Sequence, residues 1–501
     1  MTARTIGDQL RASAAAAPEK VAVLAEGRPL AYSELDEAAD RLASGLAERG
    51  VARGDRVVLA LPNGADMCVA VYGVARAGAA FVPVNPTMKA AKLGDVLDRA
   101  APVAVICDEE RAPVAAEAAG SQIEPPIVAG VSELSSAGTL PSPPLDSDLA
   151  AVMFTSGSTG EPKGVMLAHL NVAFATDSIV EYLELGADDR VLSLLPLSFG
   201  YGLSQLFTCV RAGATLVLEA GLGFVGRLVR ILEEERITGL PAVPTVFQVL
   251  TALKGLADRE LPDLRFVTNA GAGLSTPAVD AVRRTFPGAR LYSMYGQTEC
   301  TRVCYLPPDQ LDARPASVGV AIPGTEAWVE GPDGTPAAPG ETGQLMVRGS
   351  HVMQGYWGDP EGTAAKLRPG RWPWERVLAT GDLFRTDDEG YLYFVSRTDD
   401  IIKSRGEKVA PREVEEVLYG VAGVVEAAVV GVPDRLLGQA VHAHVVLEDG
   451  AKTDPESLKR YCAERLEDYM VPQRVVIQEA LPRTPNGKLD RRALAVPAAL
   501  R

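Results

Sequence analysis

Six apolar residues, Leu149 to Phe154, run straight into ten with little side-chain bulk: Thr155-Ser156-Gly157-Ser158-Thr159-Gly160-Glu161-Pro162-Lys163-Gly164. The apolar run reads as a buried strand. The ten small residues suit a polyphosphate: glycines let the backbone approach closely, amide groups turn inward, hydroxyls donate, and Lys163 supplies a charge. A Walker A loop is excluded, because Lys163 follows Pro162 and precedes Gly164 instead of Ser or Thr. Ser/Gly composition also occurs in flexible surface loops. The strand that feeds this one and the Pro-Lys-Gly that closes it favour a built site.

The surrounding chain alternates helix and strand. Ser33 is the expected cap of a helix running to Arg49 and ended by Gly50. Strands are expected at 56–61, 80–84 and 103–107, with a helix at 66–76. Such alternation predicts a doubly wound α/β layer. Residues 120–148, rich in Ser and Pro, read as a surface connection. A second α/β run succeeds it, with strands at 190–196, 214–219, 238–243, 264–270 and 290–295. After Arg314 short alternating segments between Pro-Asp-Gly and Pro-Gly-Glu turns predict a small antiparallel β barrel or sheet. From about Asp399 a fresh α+β pattern begins, with helices at 411–419 and 455–466 and strands at 424–430 and 440–447. At 501 residues the chain is too long for one core. The expected fold is therefore α/β: a large domain over residues 1–398, built from two doubly wound subdomains and a small β barrel, then a small α+β domain over 399–501.

The net charge of −16 argues against a nucleic-acid partner, which would call for a basic face. Six scattered cysteines without a Cys-x-x-Cys pair read as reduced thiols in a cytoplasmic protein. Residues 1–17 lack a signal-like segment and no 18-residue apolar run occurs, so no membrane association is expected. His442 and His444 share a strand face, but lack a Cys or carboxylate at ligand spacing and read as ordinary sheet residues; His169 reads as a helix-start residue.

Tyr295-Gly296-Gln297-Thr298-Glu299 falls just after an expected strand, where ligand sites of open α/β sheets form. An aromatic ring, a hydroxyl and a carboxylate within five residues serve a purine face, a phosphate oxygen and a magnesium ion. Thr155–Gly164 as written and this pentad resemble motifs of the adenylate-forming superfamily: acyl-CoA synthetases, luciferases and the adenylation domains of peptide synthetases. Further segments resemble that family's motifs in its order. These are Asn269-Ala270-Gly271-Ala272-Gly273, Thr380-Gly381-Asp382, Ser396-Arg397-Thr398-Asp399-Asp400, the stretch from Lys403 through Gly406 to Glu415, and Pro485-Asn486-Gly487-Lys488-Leu489.

The resemblance implies roles for single residues. Thr155, Ser156, Gly157, Ser158, Thr159, Gly160 and Lys163 form the phosphate loop. Tyr295 stacks on adenine beside Gly296, while Gly271, Ala272 and Gly273 cover the other face. Thr298 contacts the α-phosphate and Glu299 helps hold Mg²⁺. Asp382 binds the ribose hydroxyls with help from Arg397, and Asp399 is a hinge for a mobile small domain. Gly406 lines a thiol channel. Lys488 contacts the attacking carboxylate and the α-phosphate. Read without the family, Asp382 and the 396–400 cluster are turn residues and Lys488 a solvated lysine.

Leu195-Pro196-Leu197-Ser198-Phe199-Gly200-Tyr201-Gly202 resembles the acyl-binding segment. It makes Phe199, Gly200, Tyr201, Val243, Met294 and Cys304 the candidate lining of a pocket for a hydrophobic acid. Gly200 stands where amino-acid-activating relatives carry an aspartate. The resemblance implies activation of a carboxylic acid by ATP to an acyl adenylate, then attack by a thiol. CoA is the expected acceptor, with a carrier-protein phosphopantetheine or an amine as alternatives. A non-catalytic nucleotide binder of the same fold is disfavoured, because it would not need Lys488, Glu299 and Asp382 together.

Overall fold

The computed structural model describes residues 3–120, 125–156, 162–221, 225–405, 407–434, 436–448, 450–484 and 489–495. Two large sheets form the body. A seven-stranded sheet runs in the order Gly355–Tyr356, Pro162–Ala168, Leu149–Ser156, Ala80–Pro83, Arg56–Ala60, Ala104–Cys107, Ile127–Ala129. From Leu149–Ser156 to Ile127–Ala129 its neighbours are parallel, and the two strands at the other edge are antiparallel. Strands such as Arg56–Ala60 and Ala80–Pro83 are almost wholly buried, as parallel strands covered on both faces must be.

The second sheet has nine strands. Parallel strands Phe266–Asn269, Gly239–Ala242, Arg190–Ser193 and Thr215–Leu218 form its middle, with Arg290–Tyr295 beside the first. Its far edge is the N-terminal hairpin Val21–Ala25/Arg28–Ala31, which pairs with Thr215–Leu218 across nearly the whole first sheet's sequence. A five-stranded antiparallel sheet comes next, containing Glu326–Glu330, Gly343–Arg348, Leu367–Pro369, Arg376–Thr386 and Leu392–Arg397. A 3-10 turn, Thr398–Asp400, leads from it into the last sheet, also of five strands.

That last sheet has two different faces. Ala427, Val429, Val441, Ala443 and Val445 pack with Val414 and Leu418 of the helix Pro411–Tyr419 and Leu458 of Pro455–Ala463. Ala428, Val430 and Val432, alternate residues of the same strand, pack instead with Leu481, Leu489 and Leu494.

Three local expectations need correction. Ser33 is not a cap: the helix is Tyr32–Glu48, and Glu34 reaches back to accept from the Ala31 N–H at 2.7 Å, which starts the helix before Ser33. The 120–148 connection holds an edge strand, Ile127–Ala129, and a short helix, Val131–Leu134. The Pro-Lys-Gly closure belongs to a strand, because Pro162 sits at its first position, where the missing N–H does not interrupt the ladder. The six cysteines are all buried free thiols. Among the described residues no helix is long and apolar enough to cross a membrane.

Candidate active site

The motifs meet where the strands of the second sheet end against the antiparallel sheet. Tyr295 closes the strand Arg290–Tyr295, and its hydroxyl donates to Asp382 Oδ2 at 2.5 Å. The Tyr295 ring is fixed edge-on to Phe384, with centroids 4.9 Å apart. Gln297 donates to the Tyr295 hydroxyl at 3.0 Å. Gly296 is required by space, since a Cβ there would lie 2.4 Å from the Thr301 carbonyl oxygen.

Asp382 lies in the strand Arg376–Thr386, opposite Arg397. Its second carboxylate oxygen, Oδ1, is buried without a hydrogen bond among the described residues, and the nearest guanidinium nitrogen of Arg397 is 3.4 Å away. Burial raises the Asp382 pKa, while the Tyr295 hydrogen bond, Arg397 and Lys366 oppose the rise. A buried carboxylate with one oxygen unsatisfied is costly unless a ligand donates to it. Lys366 was missed by the sequence reading. It ends the helix Pro360–Lys366, donates to the Thr380 carbonyl at 2.8 Å, and has its pKa lowered by burial, with Glu299 and Asp382 opposing. Gly381 has a φ of +78°, which favours glycine, and a Cβ there would come 2.7 Å from Lys366 Nζ, the movable end of that side chain.

Glu299 Oε1 accepts from the Tyr356 hydroxyl at 2.8 Å. The other face of this arrangement is Lys163, whose Nζ is 5.0 Å from the Tyr356 ring centroid and 3.6 Å from Asp359 Oδ2. Tyr356 therefore ties the phosphate-loop lysine to the motif glutamate. Thr298 is half-buried beside it. No group of three or more His, Cys, Asp or Glu is gathered as a metal cage among the described residues. A single carboxylate fits Mg²⁺, which binds through one or two carboxylates and substrate phosphates and keeps several waters.

Thr155 is half-buried at the strand's end, with its hydroxyl 3.5 Å from the Lys163 carbonyl, and Ser156 is the last residue of that strand. Gly157, Ser158, Thr159, Gly160, Gly406 and Lys488 lie outside the described residues. Gly271, Ala272 and Gly273 are exposed, and Asn269 Nδ2 holds the segment by donating to the Ala272 carbonyl at 2.9 Å. The helix Pro411–Tyr419 reaches them through Arg412, which lies 5.7 Å over Phe394 and whose guanidinium a Cβ on Gly273 would meet at 3.1 Å. Asp399 lies within the connecting 3-10 turn.

Phe199 leads into the helix Gly200–Ala212. Tyr201 donates to the Thr268 carbonyl at 3.0 Å, and burial pushes its hydroxyl up to about 12, with Arg302 opposing. Phe199, Tyr201 and Val243 keep accessible surface, whereas Met294 is nearly and Cys304 wholly buried in the core. The Tyr182 hydroxyl donates to Met294 Sδ at 3.0 Å. The sequence reading also passed over Arg302, although a charged residue just before the apolar run 303–306 was a usable signal. Arg302 is 3% exposed, its Nε is buried without a hydrogen bond, and no ion pair of Arg302 occurs among the described residues. Among the described residues its compensation is the face of Tyr201, 5.2 Å away. A desolvated cation–π contact contributes about 2 kcal/mol or somewhat more, against several kcal/mol for taking an ion out of water.

Residues 10–357 match the family model described as AMP-binding enzyme, and residues 413–488 match the AMP-binding enzyme C-terminal domain. The chain belongs to the AMP-binding enzyme family. Among curated relatives this family member is 36% identical over 478 residues to a feruloyl-CoA synthase of Amycolatopsis sp, covering 94% of each chain. ATP-bound MatB from Rhodopseudomonas palustris superposes with a TM-score of 0.90 at 27% identity, covering 99% of this chain and 98% of that one. O-succinylbenzoate coenzyme A synthetase (MenE) from Bacillus subtilis, in complex with ATP and magnesium ion, gives a TM-score of 0.86 at 30% identity over 97% and 98% of the two chains. The match to solved adenylate-forming enzymes spans both the large body and the small C-terminal sheet, as the sequence resemblance implied.

Proposed function

We propose that this AMP-binding enzyme activates a carboxylic acid with ATP, releasing pyrophosphate, and passes the acyl group to CoA. The observation that carries the nucleotide half is Asp382: a buried carboxylate oxygen without a hydrogen-bond donor among the described residues, between Tyr295 and Arg397. Two vicinal ribose hydroxyls supply the missing donors. Tyr295, Gly296 and the exposed Gly271-Ala272-Gly273 backbone take the adenine, and residues 155–160 the phosphates.

Carboxylate attack on the α-phosphate brings two anions together, so positioned charge is most of what the protein contributes. Lys163 and Lys488 supply cations and Thr298 a hydroxyl donor. Mg²⁺, when held by Glu299, would neutralise phosphate charge. The acyl adenylate hydrolyses if water reaches it, so the site must stay covered until the thiol arrives. We assign that task to a domain of residues 399–501 turning about Asp399 against residues 1–398. The two-faced small sheet supports this: the helix Pro411–Tyr419, which follows Gly406 in sequence, packs on one face, and Leu489, which follows Lys488, packs on the other. Lys403, Arg405 and Lys408 flank Gly406 and favour CoA, an anionic nucleotide thiol, over an uncharged arm.

The test is acid-dependent release of AMP and pyrophosphate across a panel of carboxylic acids, with and without CoA. Pyrophosphate release with acid alone and thioester formation on adding CoA are expected. ATP turnover indifferent to acid would overturn the reading.

A further inference from the structure

Arg302 is a buried cation that the adenylation chemistry does not use. It follows Glu299 by three residues, past Thr301, whose φ of +58° reverses the chain. The Arg302 N–H donates to the Cys300 carbonyl at 2.5 Å in this turn. Its side chain reaches the face of Tyr201, at the start of the acyl-segment helix, and thus lies between the nucleotide motif and the acyl segment. Arginine does not shed its proton in proteins, so burial cannot be relieved by neutralisation. The Tyr201 hydroxyl donates to the Thr268 carbonyl and the Tyr182 hydroxyl to Met294 Sδ, and among the described residues neither oxygen accepts a hydrogen bond from Arg302. No carboxylate of the described residues lies within ion-pairing distance of Arg302, and Gly200 leaves open space where a side chain would stand.

We infer that Arg302 is the counter-ion for a second carboxylate on the acid that this enzyme activates. The inference rests on the acid-activating reading above and narrows its substrate class to dicarboxylic acids. One carboxylate displaces pyrophosphate and forms the mixed anhydride with AMP. The other keeps its charge throughout and pairs with the planar guanidinium, whose fork of N–H donors matches a carboxylate. The same cation, with no anion beside it, repels a substrate ammonium.

The experiment measures acid-dependent pyrophosphate release by the full-length enzyme for a series of α,ω-dicarboxylic acids and the phthalate isomers, each beside its monomethyl ester. The best diacid is expected to exceed its monoester by at least about 10²-fold in kcat/KM, because an unpaired buried cation rejects the ester. Arg302→Met should bring that ratio near or below one, chiefly through KM for the diacid, and Arg302→Lys should keep part of it. The melting temperature and AMP binding report whether each variant is folded. If Arg302→Met does not fold, the wild-type ratio and the lysine variant decide. A wild-type enzyme that prefers monoesters or neutral acids overturns this inference and leaves acid activation standing. So does a ratio unmoved by Arg302→Met. Release with no acid at all overturns both.

Discussion

His169 and His351 are fully buried, and no nitrogen of either ring has a hydrogen-bond partner among the described residues. Burial pulls both from 6.5 down to about 4, with Asp148, Asp8 and Asp146 opposing it at His169. In the unfolded chain each imidazole takes its proton near pH 6.5, whereas in the folded chain it resists until about pH 4. Between these values the unfolded state binds more protons, so this contribution is complete above 6.5 and is lost as pH falls toward 4. At 1.36 kcal/mol per pH unit, that interval is worth about 3 kcal/mol per imidazole. His351→Leu removes one of the two with little change in volume, at the cost of a stack on Phe174 (centroids 5.6 Å apart). The assay is urea unfolding from about pH 7 to about pH 4.5, followed by tryptophan fluorescence. All four tryptophans lie between residues 328 and 374, so the signal reports the part of the chain that holds His351. Carboxylate titration affects both proteins alike. The wild type should lose roughly 3 kcal/mol more than the variant over this range. Parallel pH profiles would show that His351 ionises freely in the folded protein and that the burial argument is wrong.

Lys488→Ala should slow acyl-adenylate formation by about 10²–10³-fold and spare thioester formation from synthetic acyl-AMP, whereas Asp399→Pro should slow the second step more; equal damage to both steps in either variant refutes the division of labour. Asp382→Asn should raise KM for ATP by roughly 10–10²-fold, since hydrogen bonds to a charged group are worth about 1.5–3 kcal/mol, and an unchanged KM removes Asp382 from the ribose site. Proteinogenic amino acids should support no ATP–pyrophosphate exchange, because Gly200 cannot pair with an ammonium; robust exchange with one of them contradicts this. Thioester formation should favour CoA over pantetheine at low salt and lose that preference as salt rises, and equal rates at all salts dismiss the basic flank of Gly406.

Regular elements were legible where period and punctuation agreed. The helix Pro411–Tyr419 was expected with its observed bounds, because proline opens it and glycine follows it. Strands such as Arg290–Tyr295 were found as apolar runs between turn residues. The strand Pro162–Ala168 was not, because Pro162 and Gly164 are loop signals that only the paired strand overrides. Motif residues could be named because chemistry restricts them to adjacent positions. Lys366 and Tyr356 could not, since they reach Thr380 and Glu299 only after distant strands have paired. Arg302 was visible as a charge beside an apolar run, but its lack of a counter-ion is a property of packing alone.

The edge strands make the two large sheets interdependent during synthesis. Val23 pairs with Leu216, so the hairpin Val21–Ala31 leaves the ribosome about 190 residues before its partner strand does. At roughly 5–20 residues per second that is on the order of 10–40 s. During this interval an apolar strand is without its sheet, while the strands from Arg56–Ala60 to Pro162–Ala168 are already available to each other. That sheet in turn gains its last strand, Gly355–Tyr356, after the second sheet is complete. Neither α/β unit can finish before most of the other exists, and the early hairpin is where a holding chaperone has most to protect.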